Sequence, residues 1–365
     1  MDARELFDDK NGAFFARAAR AAVRRIGRGP GGIGAACRNA AMLATMSRFQ
    51  RRQAGKRRAA AREGIAVPAI LIASVTRRCN LDCAGCYSKA LRGGGSREMS
   101  DGRFLELFRE AVDLGVGTLM IAGGEPLLRR SLLEGVARLP GAILPVFTNG
   151  LLLDDAYLDL FSSGRFVPVL SIEGDAACTA RRRGDGIHED ALAKADALAR
   201  RGIPFGFSVT LTSENADFVL SDRFLSEVQS RGASVLFLVE FVPVAEGSGA
   251  LVLTEAQKAE LLRESRFDGY SFLHVCLPGD EESFGGCLAA GRAFLHLADD
   301  GALEACPFAP FSDTNAADRS LREALGSPLM RAIRDRHGEL TETRGGCALW
   351  NKRGWVASLG ACASR

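Results

Sequence analysis

No apolar run in this 365-residue chain approaches the roughly 18 residues that a membrane-spanning helix needs. Its first ten residues, Met-Asp-Ala-Arg-Glu-Leu-Phe-Asp-Asp-Lys, do not have the charge-then-apolar layout of a secretory signal. Both absences point to the cytoplasm, where thiols stay reduced and disulfides are not expected. The four histidines (His188, His274, His296 and His337) share no spacing motif, and His296 reads as structural. Beyond an alternation of strands and helices there is no internal repeat. The arginine-rich first segment does not interleave aromatics regularly with its basic residues, which argues against a nucleic-acid partner.

Cysteine, in contrast, is abundant for a reducing compartment, at ten residues. That number points to metal binding. Cys79, Cys83 and Cys86 form a C-x3-C-x2-C run in Ser74-Val-Thr-Arg-Arg-Cys-Asn-Leu-Asp-Cys-Ala-Gly-Cys-Tyr-Ser88. An apolar stretch, Pro68-Ala-Ile-Leu-Ile-Ala-Ser-Val75, precedes it. Three thiols so close at a strand end suit an iron–sulfur cluster held by cysteine thiolates. A four-iron cluster with three protein ligands keeps one iron open to an outside ligand.

Charge divides the chain. Residues 1–65 carry 15 Lys/Arg against 5 Asp/Glu, a net of +10, so the remaining 300 sum to −7 within the total of +3. Within 11–26, Arg17, Arg20 and Arg24 form a basic stripe opposite Phe15, Ala19, Ala22, Val23 and Ile26. A second helix is predicted over 36–63. This basic leader reads as a helical extension packed on the body. Docking to an anionic membrane surface or an acidic partner is the sharper reading, which would place a cytoplasmic protein at the membrane periphery.

From residue 66 the pattern predicts strands at 68–76, 117–123, 142–148, 166–173, 204–211 and 234–244. Helices are predicted near 100–115, 130–138, 153–163, 188–202 and 215–231, with one more starting after Thr254 as N-cap. The strands are near-continuous apolar runs, as in a parallel sheet buried on both faces. Chemistry in such a sheet belongs at the C-terminal strand ends. After about residue 266 the chain becomes cysteine-rich, with Cys276, Cys287, Cys306, Cys347 and Cys362. Phe294–Cys306 reads as a hairpin turning at Asp300-Gly301. Cys37 and Cys178 stand alone and read as small buried side chains.

The cysteine run resembles the signature of the radical S-adenosylmethionine (SAM) superfamily, and further strand-end matches follow in order over residues 66–245. Gly123-Gly124-Glu125-Pro126 is similar to the GGEP motif, and Thr148-Asn149-Gly150 to a TNG-type strand end. Ser171-Ile-Glu173-Gly174 resembles Ser-x-Asp-Gly with Glu in the Asp position. Arg183-Gly184 follows, and Phe241-Val-Pro243-Val244 resembles the sixth-strand segment along adenine. Many members have an aromatic residue before the third cysteine, where this chain has Gly85.

The resemblance implies an α/β fold, a partial (β/α)6 TIM-like barrel at 66–265 after the basic helical segment 1–65. It implies a [4Fe–4S] cluster on Cys79, Cys83 and Cys86 that binds SAM. Tyr87, Gly123, Gly124, Glu125, Asn149, Ser171, Arg183 and Pro243 are the implied SAM contacts. Glu125 would face the positive amine, and Arg183 would grip the methionyl carboxylate. In the family an electron from the cluster cleaves SAM to methionine and a 5′-deoxyadenosyl radical, which takes hydrogen from a substrate. A small electron donor such as flavodoxin or ferredoxin is the implied partner.

Cys287-x13-Gly301-x4-Cys306 resembles the opening of a SPASM/twitch extension, here a small α+β unit over 266–365. It implies one auxiliary iron–sulfur cluster on Cys287, Cys306, Cys347 and Cys362, with Cys276 as rival fourth ligand and a zinc site as the alternative metal. The substrate, whether peptide or protein side chain, lipid or small molecule, is not specified. A non-catalytic iron–sulfur or SAM-binding protein is the alternative function.

Overall fold

The computed structural model describes residues 32–91, 97–163, 165–277, 286–341 and 346–359, with side chains from residue 47 onward apart from Glu264. The predicted amphipathic segment 11–26 and Cys362 lie outside the described residues.

Nine strands form one sheet: β1 (Ile70–Ser74), β2 (Thr118–Ala122), β3 (Leu144–Thr148), β4 (Phe166–Ile172), β5 (Gly206–Leu211), β6 (Val235–Glu240), β7 (Leu273–Leu277), β8 (Phe294–Leu297) and β9 (Leu303–Glu304). Their spatial order is 7-6-5-4-3-2-1-8-9. Strands β1 to β7 are successive parallel neighbours, β8 is parallel to β1, and β9 is antiparallel to β8. This is the expected α/β partial barrel, with additions at both edges.

The sheet curls, as its two faces show. On the concave face Met120, Val169, Val235 and Phe237 form one separate apolar cluster, with Ile70, Phe147 and Leu273 packed on it. Side chains from β1 to β7 meet there only because the sheet closes part of a barrel. The convex face packs on helices in the larger core. The helix Asp101–Leu114 is typical of these. Ser100 caps it, its buried Phe104, Leu107, Phe108, Ala111 and Val112 recur at helical spacing, and Gly115 ends it at φ 122°. Burying each of its large apolar side chains is worth about 1.5–3 kcal/mol.

The six predicted strands and the helix after Thr254 are present, the latter with a full capping box between Thr254 and Gln257. Four details differ. The predicted helix 215–231 is two pieces, because Ser221 caps a new helix, Asp222–Ser230. The sixth strand ends at Glu240, so Phe241–Val244 is a loop. A seventh parallel strand, β7, contains Cys276. The predicted hairpin forms, but as β8 and β9 of the main sheet.

The helix Gly32–Arg62 packs on the Asp101–Leu114 helix and reaches the start of β2, where Gln50 donates to Gly117 O at 2.9 Å. Gln53 donates to the carbonyls of Val112 (2.7 Å) and Val116 (2.8 Å), and Arg57 to that of Gly115 (2.8 Å). These bonds cap the carbonyl end of the Asp101–Leu114 helix. Arg48, Arg51, Arg52, Arg58 and Arg62 remain exposed on the helix.

Candidate functional site

The C-terminal strand ends open onto a cavity of about 680 Å³. Cys79, Cys83 and Cys86 line it, and so do Cys287, Cys306 and Cys347 from the far end of the chain. Of the other predicted site residues, Tyr87, Gly123, Gly124, Glu125, Asn149, Ser171 and Arg183 are in the wall, and Pro243 is not. Cys276 also lines the cavity.

The first cysteine loop has little core of its own. Cys79 is exposed, and Cys83 and Cys86 are half-buried. Neighbouring strand ends hold it instead. After β2, Gly124 N–H donates to Thr76 O (2.7 Å) and Glu125 N–H to Arg78 O (2.8 Å). A Cβ on Gly123 would overlap the Thr76 carbonyl oxygen, and one on Gly124 that of Arg78. These glycines therefore admit the cysteine loop itself, where the sequence suggested close approach to a ligand. After β3, the Asn149 side chain donates to Asn80 Oδ1 at 2.8 Å. After β4, Ala84 N–H donates to Arg182 O (2.8 Å) and Arg182 Nε returns a bond to Ala84 O (3.1 Å).

Glu125 is 1% exposed, and protein donors engage both its oxygens. Leu127 N–H (3.0 Å) and the Thr148 hydroxyl (2.7 Å) donate to Oε1, and Asn149 N–H (2.9 Å) to Oε2. Burial raises its pKa against those bonds. Its visible work is to tie the end of β2 to the end of β3, beside the amine-facing role the sequence suggested.

Arg183 donates to Glu173 Oε1 at 2.8 Å, and Arg182 donates to the same oxygen at 2.6 Å. Glu173 is 1% exposed, and its Oε2 has no hydrogen-bond partner among the described residues. One buried carboxylate thus holds two guanidinium groups at the cavity wall. Burial pushes the Cys83 thiol up, while the nearby Arg183 and Arg182 charges pull it down. Sequence reasoning missed Arg182, although the run Arg181-Arg182-Arg183 contains it.

Gly85 has an equally local cause. Its φ is +64°, and an added Cβ would sit 3.2 Å from the Phe241 ring. A ring from the loop after β6 thus fills the space that a side chain at residue 85 would use. Tyr87 packs edgewise on Phe308, with ring centroids 4.5 Å apart, and so touches the second cysteine segment.

Cys287, Cys306 and Cys347 are each 5% exposed. Burial, contact with the Cys347 thiol and the nearness of Cys287 push the Cys306 thiol well above its ordinary range. A buried thiolate needs a compensating cation beside it, so three buried cysteines on one wall suit thiolate ligation of a metal centre. Among the described residues no three His, Cys, Asp or Glu side chains gather closely enough for one ion.

Residues 73–224 match the Radical SAM superfamily. The chain is 34% identical over 183 residues to a pre-heme d1 synthase of Dinoroseobacter shibae, covering 49% of this chain and 45% of that one. It is 28% identical over 278 residues to a PqqA peptide cyclase of Ruegeria pomeroyi, covering 71% and 74%. Thus it spans less than half the length of the former relative. Streptococcus suis SuiB bound to S-adenosylmethionine superposes with a TM-score of 0.63 at 16% identity, over 78% of this chain and 72% of that one. The structure of anSMEcpe with bound AdoMet gives 0.59 at 16%, over 80% and 96%. At such identity these two speak for the fold.

Proposed function

We propose that the chain is a radical SAM enzyme acting on a peptide or protein side chain. The observation that carries the chemistry is the cysteine loop at the cavity, held by the ends of β2, β3 and β4. Three soft thiolates there match the ligand set of an iron–sulfur cluster. Cys79, Cys83 and Cys86 would hold the cluster, which would supply the electron for reductive cleavage of SAM and so the hydrogen-abstraction chemistry.

The chain's own residues bind and aim. Arg183, held by Glu173, presents a guanidinium for the methionyl carboxylate. Ser171 and Asn149 offer hydrogen bonds from the wall, Tyr87 and Phe241 close one side, and Pro243 follows in the loop after β6. Ile72, Met120, Phe147 and Val239 give the cavity an apolar floor that keeps water from a reactive intermediate.

Residues 266–365 form the auxiliary-cluster unit in this proposal, with Cys287, Cys306 and Cys347 as ligands and Cys362 or Cys276 as the fourth. A peptide substrate is favoured by the PqqA peptide cyclase, which matches most of both chains. SuiB has also been solved bound to its precursor peptide, SuiA. An acidic flavodoxin or ferredoxin suits the role of electron donor. The exposed arginines of Gly32–Arg62 suit an anionic lipid surface. No helix of the described residues is long and apolar enough to cross a membrane.

The test is anaerobic reconstitution with iron and sulfide, dithionite reduction and assay of 5′-deoxyadenosine from SAM. The wild-type chain should form it and Cys79→Ala should not. Equal traces from both would end the enzyme reading. Iron retained by the Cys79/Cys83/Cys86→Ala triple variant reports the second cluster, and near-zero iron would refute it.

A further inference from the structure

A chain of buried polar groups outside the cavity joins the two cysteine regions. Ser74 Oγ lies 2.9 Å from His296 Nε2, and His296 Nδ1 lies 2.8 Å from Glu304 Oε2. Ser74 and Glu304 are each 2% exposed and His296 is fully buried. None of the three lines the cavity, so the trio has no route to a substrate and is not a nucleophilic triad. With Glu304 ionised, Nδ1–H donates to the carboxylate and Nε2 accepts from the Ser74 hydroxyl.

Buried polar chains gain little net stability over apolar packing, and their best-attested use is to fix register. The need for that is visible here. β8 is buried on both faces, with Leu295 1% and Leu297 0% exposed on one and His296 fully buried on the other, so burial alone barely distinguishes one register from the next. β8 joins β1 through four residue pairs, with Ile72 opposite His296, and β9 adds two, with His296 opposite Glu304. A slip by one residue turns the imidazole to the other face and breaks both bonds. A second tie at the same end agrees, since Arg77 Nε donates to Asp299 Oδ2 at 2.8 Å. Cys79 follows two residues after Arg77, and Cys306 two after Glu304.

We propose that Ser74–His296–Glu304 is a register lock that sets the spacing between the two cysteine sets, with His296 as its positioning residue. The inference rests on the two-cluster reading above. It is tested on fully reconstituted, dithionite-reduced protein by electron paramagnetic resonance. The dipolar interaction between the two cluster spins falls steeply with their separation. His296→Leu keeps the bulk and removes both hydrogen bonds. His296→Gln keeps a donor toward Glu304 and an acceptor toward Ser74.

With iron content at the wild-type level, His296→Leu should lose or broaden the interaction and His296→Gln should restore it. An unchanged interaction in His296→Leu would overturn the lock, even if its melting temperature fell, because that pattern marks a purely stabilising role. Should His296→Leu not fold, Ser74→Ala is read in the same way, and an unchanged interaction there overturns the lock too. A wild-type protein without a second cluster signal would remove the two-cluster reading together with the lock. A signal present but insensitive to His296→Leu would remove the lock alone.

Discussion

The two cysteine regions solve opposite problems. Cys79, Cys83 and Cys86 lie within eight residues, on a loop that is exposed or half-buried and held from outside by three strand ends. Cys287, Cys306 and Cys347 are spread over sixty-one residues and meet inside the core, each 5% exposed. The first region is specified by local spacing and kept accessible to ligands. The second is specified by the fold, which brings distant segments together and excludes water. An accessible centre suits SAM, and a shielded one suits a redox partner across the cavity.

The contrast breaks most sharply at Gly124. Gly124→Ala forces the backbone away from the Arg78 carbonyl, which should cost about 1–3 kcal/mol and empty the first cluster site. Chemical denaturation of the iron-free chain and iron analysis would show both. A variant with the wild-type midpoint and full iron would contradict the clasp. Cys347→Ala should do the reverse, leaving the first cluster and its response to SAM intact while iron at the second site is lost. Iron at the wild-type level in that variant would take Cys347 out of the ligand set.

A smaller effect is expected at Arg182, which binds both Ala84 and Glu173. Arg182→Met should weaken SAM binding about tenfold, or about 1.4 kcal/mol, with Cys347-dependent iron unchanged. Equilibrium dialysis with labelled SAM measures it, and wild-type affinity would count against the clasp. Gly85→Ala is the mildest. Its φ of +64° and the Phe241 ring 3.2 Å from the new Cβ should cost about 1 kcal/mol. Combining it with Phe241→Leu should recover part of that cost, since the neighbouring ring is then smaller. Additive melting shifts in the double variant would show that the two residues do not share space.

Spacing and periodicity were enough for much of this protein. The apolar runs announced six parallel strands, and the Thr254 capping box announced a helix start, because both signals are local. The cysteine run and Gly123-Gly124-Glu125 announced a site at the strand ends for the same reason. β7 was hidden in a short segment whose residues are all half-buried, without alternation to mark it. Arg182 was hidden beside Arg183, since adjacent helix residues differ in direction and only packing shows which touches Ala84. The work of Glu125 was hidden as well, because its donors come from a neighbouring strand end as well as its own turn.

The sequence by itself determined the barrel's strand order of appearance, the loop that holds the first thiols and the glycine positions that let other backbone come close. These are matters of residue type over a few positions. Tertiary structure alone decided that β8 lies against β1 and that His296 meets Ser74 across 222 residues. It also decided that Phe241 fills the space beside Gly85 and that three distant thiols share one buried wall. Such contacts depend on which surfaces close on one another when the sheet curls, and no local pattern encodes that closure.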